Sequence, residues 1–218
     1  ELNTILEKMK KLLLSAFVIC LAGTSIAQES PLWMRHCALS PDGTTIAFTY
    51  KGDIYTVPST GGRATQITTN PAFDTEPVWS PDSKQIAFAS DRMGSLDVFV
   101  VSSEGGAPQR LTTHSGSEKP VAYKDNKHIL FTANIAPSAE DAGFPSGQFQ
   151  QVYEVAVTGG RPAMFSSMPM ECISINKEGV MLYQDKKGYE DYWRKHQVSP
   201  IARDIWTYTP GKKPVYQK

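Results

Sequence analysis

Residues 39–48 have the sequence LSPDGTTIAF, and residues 79–88 repeat it as WSPDSKQIAF. From Phe48 to Phe88 the offset is 88 − 48 = 40 residues, and an offset of about 40–45 residues is typical of one four-stranded blade of a β-propeller. The Ser-Pro-Asp-Gly segment indicates a tight turn, because proline fixes φ, aspartate bonds to nearby backbone and glycine tolerates positive φ. The apolar triplet that follows predicts a strand covered on both faces.

Two weaker copies of this unit follow. The apolar triplet ends at an aromatic residue in every copy, namely Phe48, Phe88, Phe131 and Tyr183. A second strand-like triplet follows at 53–55, 97–99, 151–153 and 204–206, and a glycine pair follows at 61–62, 105–106 and 159–160. We therefore predict an all-β fold, a β-propeller with four visible blades of four-stranded meanders at 36–69, 76–113, 119–166 and 171–218. A β-sandwich also has short strands joined by turns, but the fixed period argues against it.

The fourth unit ends weakly, with Pro210-Gly211 in place of the glycine pair. Closed propellers have about four to eight blades, so a closed four-bladed ring is one interpretation of residues 28–218. The other is an open arc that forms part of a larger ring. We expect the open arc, because the sequence stops soon after this weak ending.

The N-terminal region has the features of an export signal. Met9-Lys10-Lys11 is positively charged, residues 12–22 are apolar, and Ser25-Ile26-Ala27 resembles a cleavage site. We predict that residues 1–8 are an upstream non-native segment, that residues 9–27 are a signal peptide, and that the protein is exported to the periplasm or secreted. Cys20 does not indicate a lipoprotein, because Ile19 before it is bulkier than such signals normally allow. The apolar run is too short for a membrane span.

The composition and motifs exclude several function classes. The formal net charge is zero, with 22 basic and 22 acidic residues, so nothing indicates nucleic-acid binding. The sequence lacks a Gly-x-Ser-x-Gly elbow, a His-Glu-x-x-His pair and a phosphate-binding glycine loop. We therefore predict no catalytic residue, no metal and no cofactor. Asp42 and Asp82 occupy the repeated turn and are interpreted as turn residues.

Counting back from the aromatic residue of each triplet defines two further positions. Eleven residues back lie Cys37 and Cys172, which we place on the innermost strands of the first and fourth blades and predict to be free thiols. Twelve residues back lie polar residues in all four blades: His36, Glu76, Lys119 and Glu171. Such a polar ring is a candidate binding site at the mouth of the central channel.

Long insertions share the face on which this ring lies. They occupy residues 134–150 and 185–203, between the second and third strands of the last two blades. Tyr189, Tyr192 and Trp193 of the second insertion are candidate binding residues that overhang the mouth, because long loops on a rigid scaffold often carry function. Solvated loops, with these aromatic residues packed as a local mini-core, are the alternative.

The repeats resemble those of the TolB translocation protein, the tricorn peptidases and some prolyl-oligopeptidase relatives. Residues 188–196, GYEDYWRKH, and residues 203–206, RDIW, are more particular. They resemble the fourth blade of the first propeller in exported bacterial tricorn-like serine peptidases. The resemblance implies a six-bladed first propeller, of which this chain is an open part, then a second propeller, a PDZ-like domain and a C-terminal catalytic domain. The catalytic serine of the family has no matching position here.

The resemblance implies a non-catalytic N-terminal propeller that gates or channels peptides to a C-terminal catalytic domain. Its expected partners are peptides or unfolded polypeptide, together with the remaining blades and the catalytic domain of the parent chain. Two alternatives remain open, a TolB-like interaction propeller of the cell envelope and the propeller cap of a prolyl-oligopeptidase-type hydrolase. The sequence that follows this region in the gene would distinguish the three.

Overall fold

A computed structural model describes residues 33–135, 150–168, 170–176, 178–185, 205–211 and 215–216. These residues form strands and turns without any helix, and they lie in the compact unit Trp33–Lys218. The second unit, Glu1–Leu32, lies outside the described residues, and so do the expected signal peptide and Tyr189, Tyr192 and Trp193. Within the described part of the chain, no helix has the length and apolar character needed to cross a membrane.

The strands form four antiparallel sheets of four strands each, and within each sheet the strands follow in chain order. The first sheet has β1 (Arg35–Leu39), β2 (Thr45–Tyr50), β3 (Asp53–Pro58) and β4 (Thr65–Gln66); the second has β5 (Asp74–Trp79), β6 (Gln85–Ser90), β7 (Asp97–Ser102) and β8 (Gln109–Arg110). The third has β9 (Lys119–Asp125), β10 (His128–Ala133), β11 (Gln151–Ala156) and β12 (Ala163–Ser166); the fourth has β13 (Met170–Ile175), β14 (Met181–Asp185), β15 (Ile205–Tyr208) and β16 (Val215–Tyr216). The predicted fold class, four meander blades in a propeller arrangement, is confirmed.

The hydrophobic core lies between neighbouring blades. Three clusters join the first blade to the second, the second to the third and the third to the fourth. Phe88 and Phe131, the aromatic residues of two predicted triplets, have no solvent exposure, because both faces of their strands are covered. Leu182 of the fourth blade is 47% exposed, since no further blade covers its outward face within the described residues.

The Ser-Pro-Asp turn is held by the side chains that the repeat specifies. The Ser40 hydroxyl donates to Asp42 Oδ1 at 2.6 Å, and the Thr44 amide donates to the same oxygen at 3.0 Å. In the second blade the Ser80 hydroxyl donates to Asp82 Oδ1, again at 2.6 Å. The two aspartates are therefore turn residues, as predicted, since their carboxylates are engaged by their own turns.

A residue of each turn also connects neighbouring blades. The Asp42 amide donates to Ser83 Oγ at 3.3 Å, and the Asp82 amide donates to Asn126 Oδ1 at 3.2 Å. Ser83 adopts φ = 60°, where the first blade has Gly43 at φ = 74°. The second blade therefore carries local backbone strain at a position that also accepts an inter-blade hydrogen bond.

Replacing Ser83 by asparagine is expected to raise the free energy of unfolding by about 0.5 kcal/mol, because asparagine tolerates positive φ better than serine. Its side-chain oxygen can still accept from the Asp42 amide, as Asn126 does for Asp82. Urea unfolding followed by circular dichroism measures the change. Ser59→Asn is the control, since Ser59 is exposed and has no positive φ. An equal gain in both variants would contradict the strain at Ser83.

The structure corrects the alignment of the innermost strands that was obtained by counting back from the aromatic residue of each triplet. Six residues separate Leu39 from its partner Ile46, and six separate Trp79 from Ile86. Only five separate the equivalent partners in the last two blades, Tyr123–Ile129 and Ile175–Met181. The shorter hairpins move the innermost strand by one residue relative to the aromatic triplet.

Two predicted equivalences are therefore wrong. The innermost residues that occupy one level in the register are His36, Glu76, Pro120 and Cys172. Lys119 and Glu171 lie one level earlier, and Cys172 does not occupy the place of Cys37. The predicted ring thus spans two adjacent levels of the channel wall.

Candidate functional site

The innermost strands β1, β5, β9 and β13 lie side by side along the channel side of the four blades. β1 contacts β5, β5 contacts β9, and β9 contacts β13. Cavities of about 660 Å³ and about 910 Å³ lie along this side, each lined by residues from all four of these strands. We call the first, at the strand starts, the polar mouth, and the second, at the hairpins, the apolar mouth.

The polar mouth contains the four polar residues predicted from the repeat. His36, Glu76, Lys119 and Glu171 all line this cavity despite the one-residue shift, because the two levels they occupy are adjacent. Their role in binding stays a prediction. Tyr189, Tyr192 and Trp193, the other predicted binding residues, lie outside the described part of the chain.

An ion pair crosses the polar mouth between two blades. Lys119 Nζ lies 2.7 Å from Glu76 Oε1, and the two side chains are 35% and 25% exposed. At this exposure the pair contributes about 1 kcal/mol or less to stability. The wall of the mouth therefore presents a compensated pair beside His36 and Glu171, which is a mixed set of charges with no dominant sign.

Irregular backbone positions the side chains of this mouth. β1, β5 and β13 each contain a bulge, and the residue at φ of 51° to 54° in it is His36, Glu76 or Cys172. A bulge re-aims a side chain relative to regular pairing. The fixed repeat of a strained conformation at the channel mouth is typical of a functional site.

The two cysteines also line the polar mouth. Cys37 and Cys172 are exposed, and both are free thiols in the structure. Among the described residues, no group of three or more histidine, cysteine, aspartate or glutamate side chains is arranged to hold a metal ion. What the mouth offers a ligand is hydrogen bonding, charge and the edges of bulged strands.

The apolar mouth was not predicted from the sequence. One level of its wall consists of residues at equivalent register positions near the hairpins: Leu39, Trp79, Tyr123 and Ile175. Leu39 and Trp79 directly precede the Ser-Pro-Asp turns in the sequence. That they reach the wall of one cavity depends on the register of the bulged strands.

Ionised turn residues lie at the hairpin end. The hydrogen bond from Ser80 lowers the pKa of Asp82, and the one from Ser40 lowers that of Asp42. Burial acts to raise the pKa of Asp125, yet hydrogen bonds from His128 and the Lys127 amide leave it below its usual value. These carboxylates are therefore charged at neutral pH.

The sequence matches the family model described as "Tricorn protease N-terminal beta propeller domain" over residues 31–217. It is 32% identical over 108 residues to the uncharacterized peptidase YuxL of Bacillus subtilis, covering 44% of this chain and 16% of that protein. It is 39% identical over 77 residues to tricorn protease homolog 1 of Streptomyces coelicolor, covering 35% of this chain and 7% of that protein. The matched part thus spans less than a fifth of these two relatives.

A third relative has a length similar to that of this chain. The putative tricorn-like protease N-terminal subunit of Sulfurisphaera tokodaii is 21% identical over 189 residues, which cover 82% of this chain and 90% of the relative. Among solved structures, the tricorn protease superposes with a TM-score of 0.63 at 17% identity, covering 87% of this chain and 19% of that chain. The putative TolB of Agrobacterium tumefaciens superposes with a TM-score of 0.61 at 22% identity, covering 83% of this chain and 64% of that chain. At these identities the solved structures show the fold alone.

Proposed function

The chain belongs to the tricorn N-terminal β-propeller family, and we propose that it is the non-catalytic propeller portion of a tricorn-like serine peptidase. Its function in this proposal is to gate or channel peptides to a catalytic domain of the parent protein. We further propose that the protein is exported, to the periplasm or beyond, on the basis of the charged and apolar segments in residues 9–27.

One observation carries the proposal. Polar side chains from four different blades line a single cavity of about 660 Å³ at the starts of the innermost strands. The backbone at this mouth is bulged in β1, β5 and β13, and bulged residues leave backbone groups outside the regular ladder. An extended peptide has backbone donors and acceptors along its whole length, so such a wall can bind peptides with little dependence on their sequence.

The charges at the polar mouth support general peptide passage. Glu76 is compensated by Lys119 at 2.7 Å, so the mouth has no strong field of one sign to repel or attract peptides by net charge. A gate that serves many peptide products needs this neutrality. TolB-like folds share the architecture, but no residue of the described part favours a protein-interaction role over peptide passage.

The proposal predicts weak peptide binding that depends on the polar mouth. A fluorescein-labelled, unstructured peptide is expected to bind, and the double substitution Glu76→Ser with Lys119→Ser is expected to weaken binding by about tenfold, equivalent to about 1.4 kcal/mol. Fluorescence anisotropy measures the dissociation constants. Substituting Arg63 and Glu104 by serine is the control, since both are exposed and line neither mouth. Equal affinity in the two double variants would refute binding at this mouth.

A further inference from the structure

The apolar mouth offers a peptide a chemistry that the polar mouth lacks. Leu39, which lines it, is 59% exposed, an unusual exposure for a large aliphatic side chain at the inner wall of a channel. Val78, Trp79, Ile173 and Ile175 line the same cavity. An apolar side chain that entered this cavity would leave water for a mainly aliphatic and aromatic wall, which is favourable.

A buried hydroxyl at this wall has no partner. Tyr123 lines the cavity and is 6% exposed, and no hydrogen-bond partner of its hydroxyl lies within the described residues. Burial, followed by the nearby Asp82 carboxylate, raises the pKa of Tyr123, so the hydroxyl keeps its proton. Buried polar groups without partners are rare in folded proteins, and this one indicates an interaction that the described residues do not supply.

Acidic side chains dominate the charge around the cavity. Asp125 and Glu178 line it and are exposed. Lys124 also lines it, but its ammonium group is paired at 2.6 Å with Glu154 on strand β11 of the same sheet. Asp125 is also held by His128, with Nδ1 3.0 Å from Oδ1. The net charge that faces an incoming ligand is negative, which favours a cation.

We propose that the apolar mouth is a peptide subsite for a segment in which an aliphatic or aromatic side chain adjoins a lysine or arginine. The subsite rests on the proposed function, since it assumes that peptides enter the channel. The apolar side chain packs against Leu39 and Trp79, and the basic side chain lies toward Asp125 and Glu178. The polar mouth does not select by charge, so sequence preference in the channel arises at the hairpin end.

Three blocked peptides in a common Gly-Ser background test the subsite, one with a Leu-Lys pair, one with Leu-Glu and one with Ser-Lys. Anisotropy titration at low salt is expected to show that the Leu-Lys peptide binds about tenfold more tightly than either of the others. Equal binding of all three would overturn the subsite and leave peptide passage intact. Failure of all three to bind would overturn the proposed function together with the subsite.

Two variants locate the preference. Leu39→Ser is expected to remove the preference for leucine over serine, and Glu178→Gln is expected to reduce the preference for lysine over glutamate by about threefold. Met164→Ser is the matched control for the first, since Met164 lies on the outermost strand β12 and is 46% exposed. Glu104→Gln, in an exposed turn before β8, is the control for the second. The subsite is wrong if the controls change the preferences as much as the variants do.

A second measurement needs no substitution and therefore holds even if Leu39→Ser disturbs β1. Raising the salt concentration in the unmodified protein screens the acidic side chains but leaves apolar contacts in place. The preference for lysine over glutamate is then expected to fall while the preference for leucine over serine persists. Loss of both preferences together would contradict the apolar part of the subsite.

Discussion

Replacing Arg92 by alanine is expected to lower the free energy of unfolding by about 3–5 kcal/mol, because it leaves a buried carboxylate without its partner. Arg92 Nη2 donates to both carboxylate oxygens of Asp74 at 2.9 Å, and Asp74 has no solvent exposure. The guanidinium carbon also lies 4.5 Å from the centroid of the Phe99 ring, so the substitution removes a cation–π contact as well. Urea unfolding followed by circular dichroism measures the loss.

A double variant separates the buried charge from the lost packing. Asp74→Asn with Arg92→Ala is expected to recover part of the loss, because a buried amide costs less than an unpaired buried carboxylate. Lys124→Ala is the matched control and is expected to cost about 1 kcal/mol or less, since its pair with Glu154 is exposed. Similar costs for Arg92→Ala and Lys124→Ala would show that the Asp74 pair does not stabilise the junction of the first two blades.

The repeat in the sequence was sufficient to predict the blades. The triplets that end at Phe48, Phe88 and Phe131 become the buried second strand of each blade. Local chemistry decided this outcome, since a tight turn followed by a covered strand needs a short polar segment followed by apolar residues. Such rules involve residues that are near each other in the sequence.

The candidate site was predicted only in part, because counting residues back from each aromatic triplet does not reveal bulges or differences in hairpin length. His36, Glu76, Lys119 and Glu171 line one cavity, yet the last two occupy a different level from the one that the count gave them. A hairpin that is one residue shorter shifts every residue before it relative to the triplet after it. The apolar mouth was missed for the same reason, because it depends on this register that Trp79 and Tyr123 reach the wall of one cavity.

Partners of buried charges were also not predictable. Asp74 and Glu118 are equivalent, since the backbone amide of each donates at 2.7 Å to the residue just before the third strand of the preceding blade, Gly52 or Leu96. Arg92, four residues after Phe88, neutralises Asp74. Four residues after Phe131 the third blade has Ile135 instead, so the same place in the repeat lacks the cation.

Glu118 is consequently buried without a cation of its own, although Thr112 and Arg110 nearby act to lower its pKa. It has no solvent exposure, and neither carboxylate oxygen has a hydrogen-bond partner among the described residues. Arg110 is engaged by Asp97, with Nη2 2.9 Å from a carboxylate oxygen. His114 Nδ1 lies 3.6 Å from Glu118 Oε1 but accepts a hydrogen bond from the Gly116 amide at 3.0 Å, so this nitrogen carries no proton for Glu118.

Burial, with a further contribution from the Asp97 charge, raises the pKa of Glu118 from 4.5 to about 7. The folded state therefore binds this proton more tightly than the unfolded state. The resulting stabilisation is fully present below pH 4.5 and is lost as the pH rises through about 7. The difference corresponds to about 3 kcal/mol between the two ends of this range.

Replacing Glu118 by glutamine is therefore expected to stabilise the protein by about 3 kcal/mol more at about pH 8 than at about pH 4.5, because glutamine cannot ionise. Urea unfolding of both proteins across this range measures the difference. Glu104→Gln, at an exposed turn, is the control and is expected to show no such dependence. A difference between Glu118→Gln and the unmodified protein that does not change with pH would mean that Glu118 does not titrate in this range.

A second substitution tests why the pKa of Glu118 is raised, by giving the third blade the arginine that the second blade has at the equivalent position. Ile135→Arg places a guanidinium where Arg92 lies in the second blade, and the rings of Phe131 and Tyr153 stack 5.8 Å apart as Phe88 and Phe99 do at 5.9 Å. The arginine is expected to pair with Glu118 and lower its pKa, so that stability no longer falls as the pH rises toward about 8. If the pH dependence of Ile135→Arg equals that of the unmodified protein, the missing cation is not what distinguishes the two blade junctions.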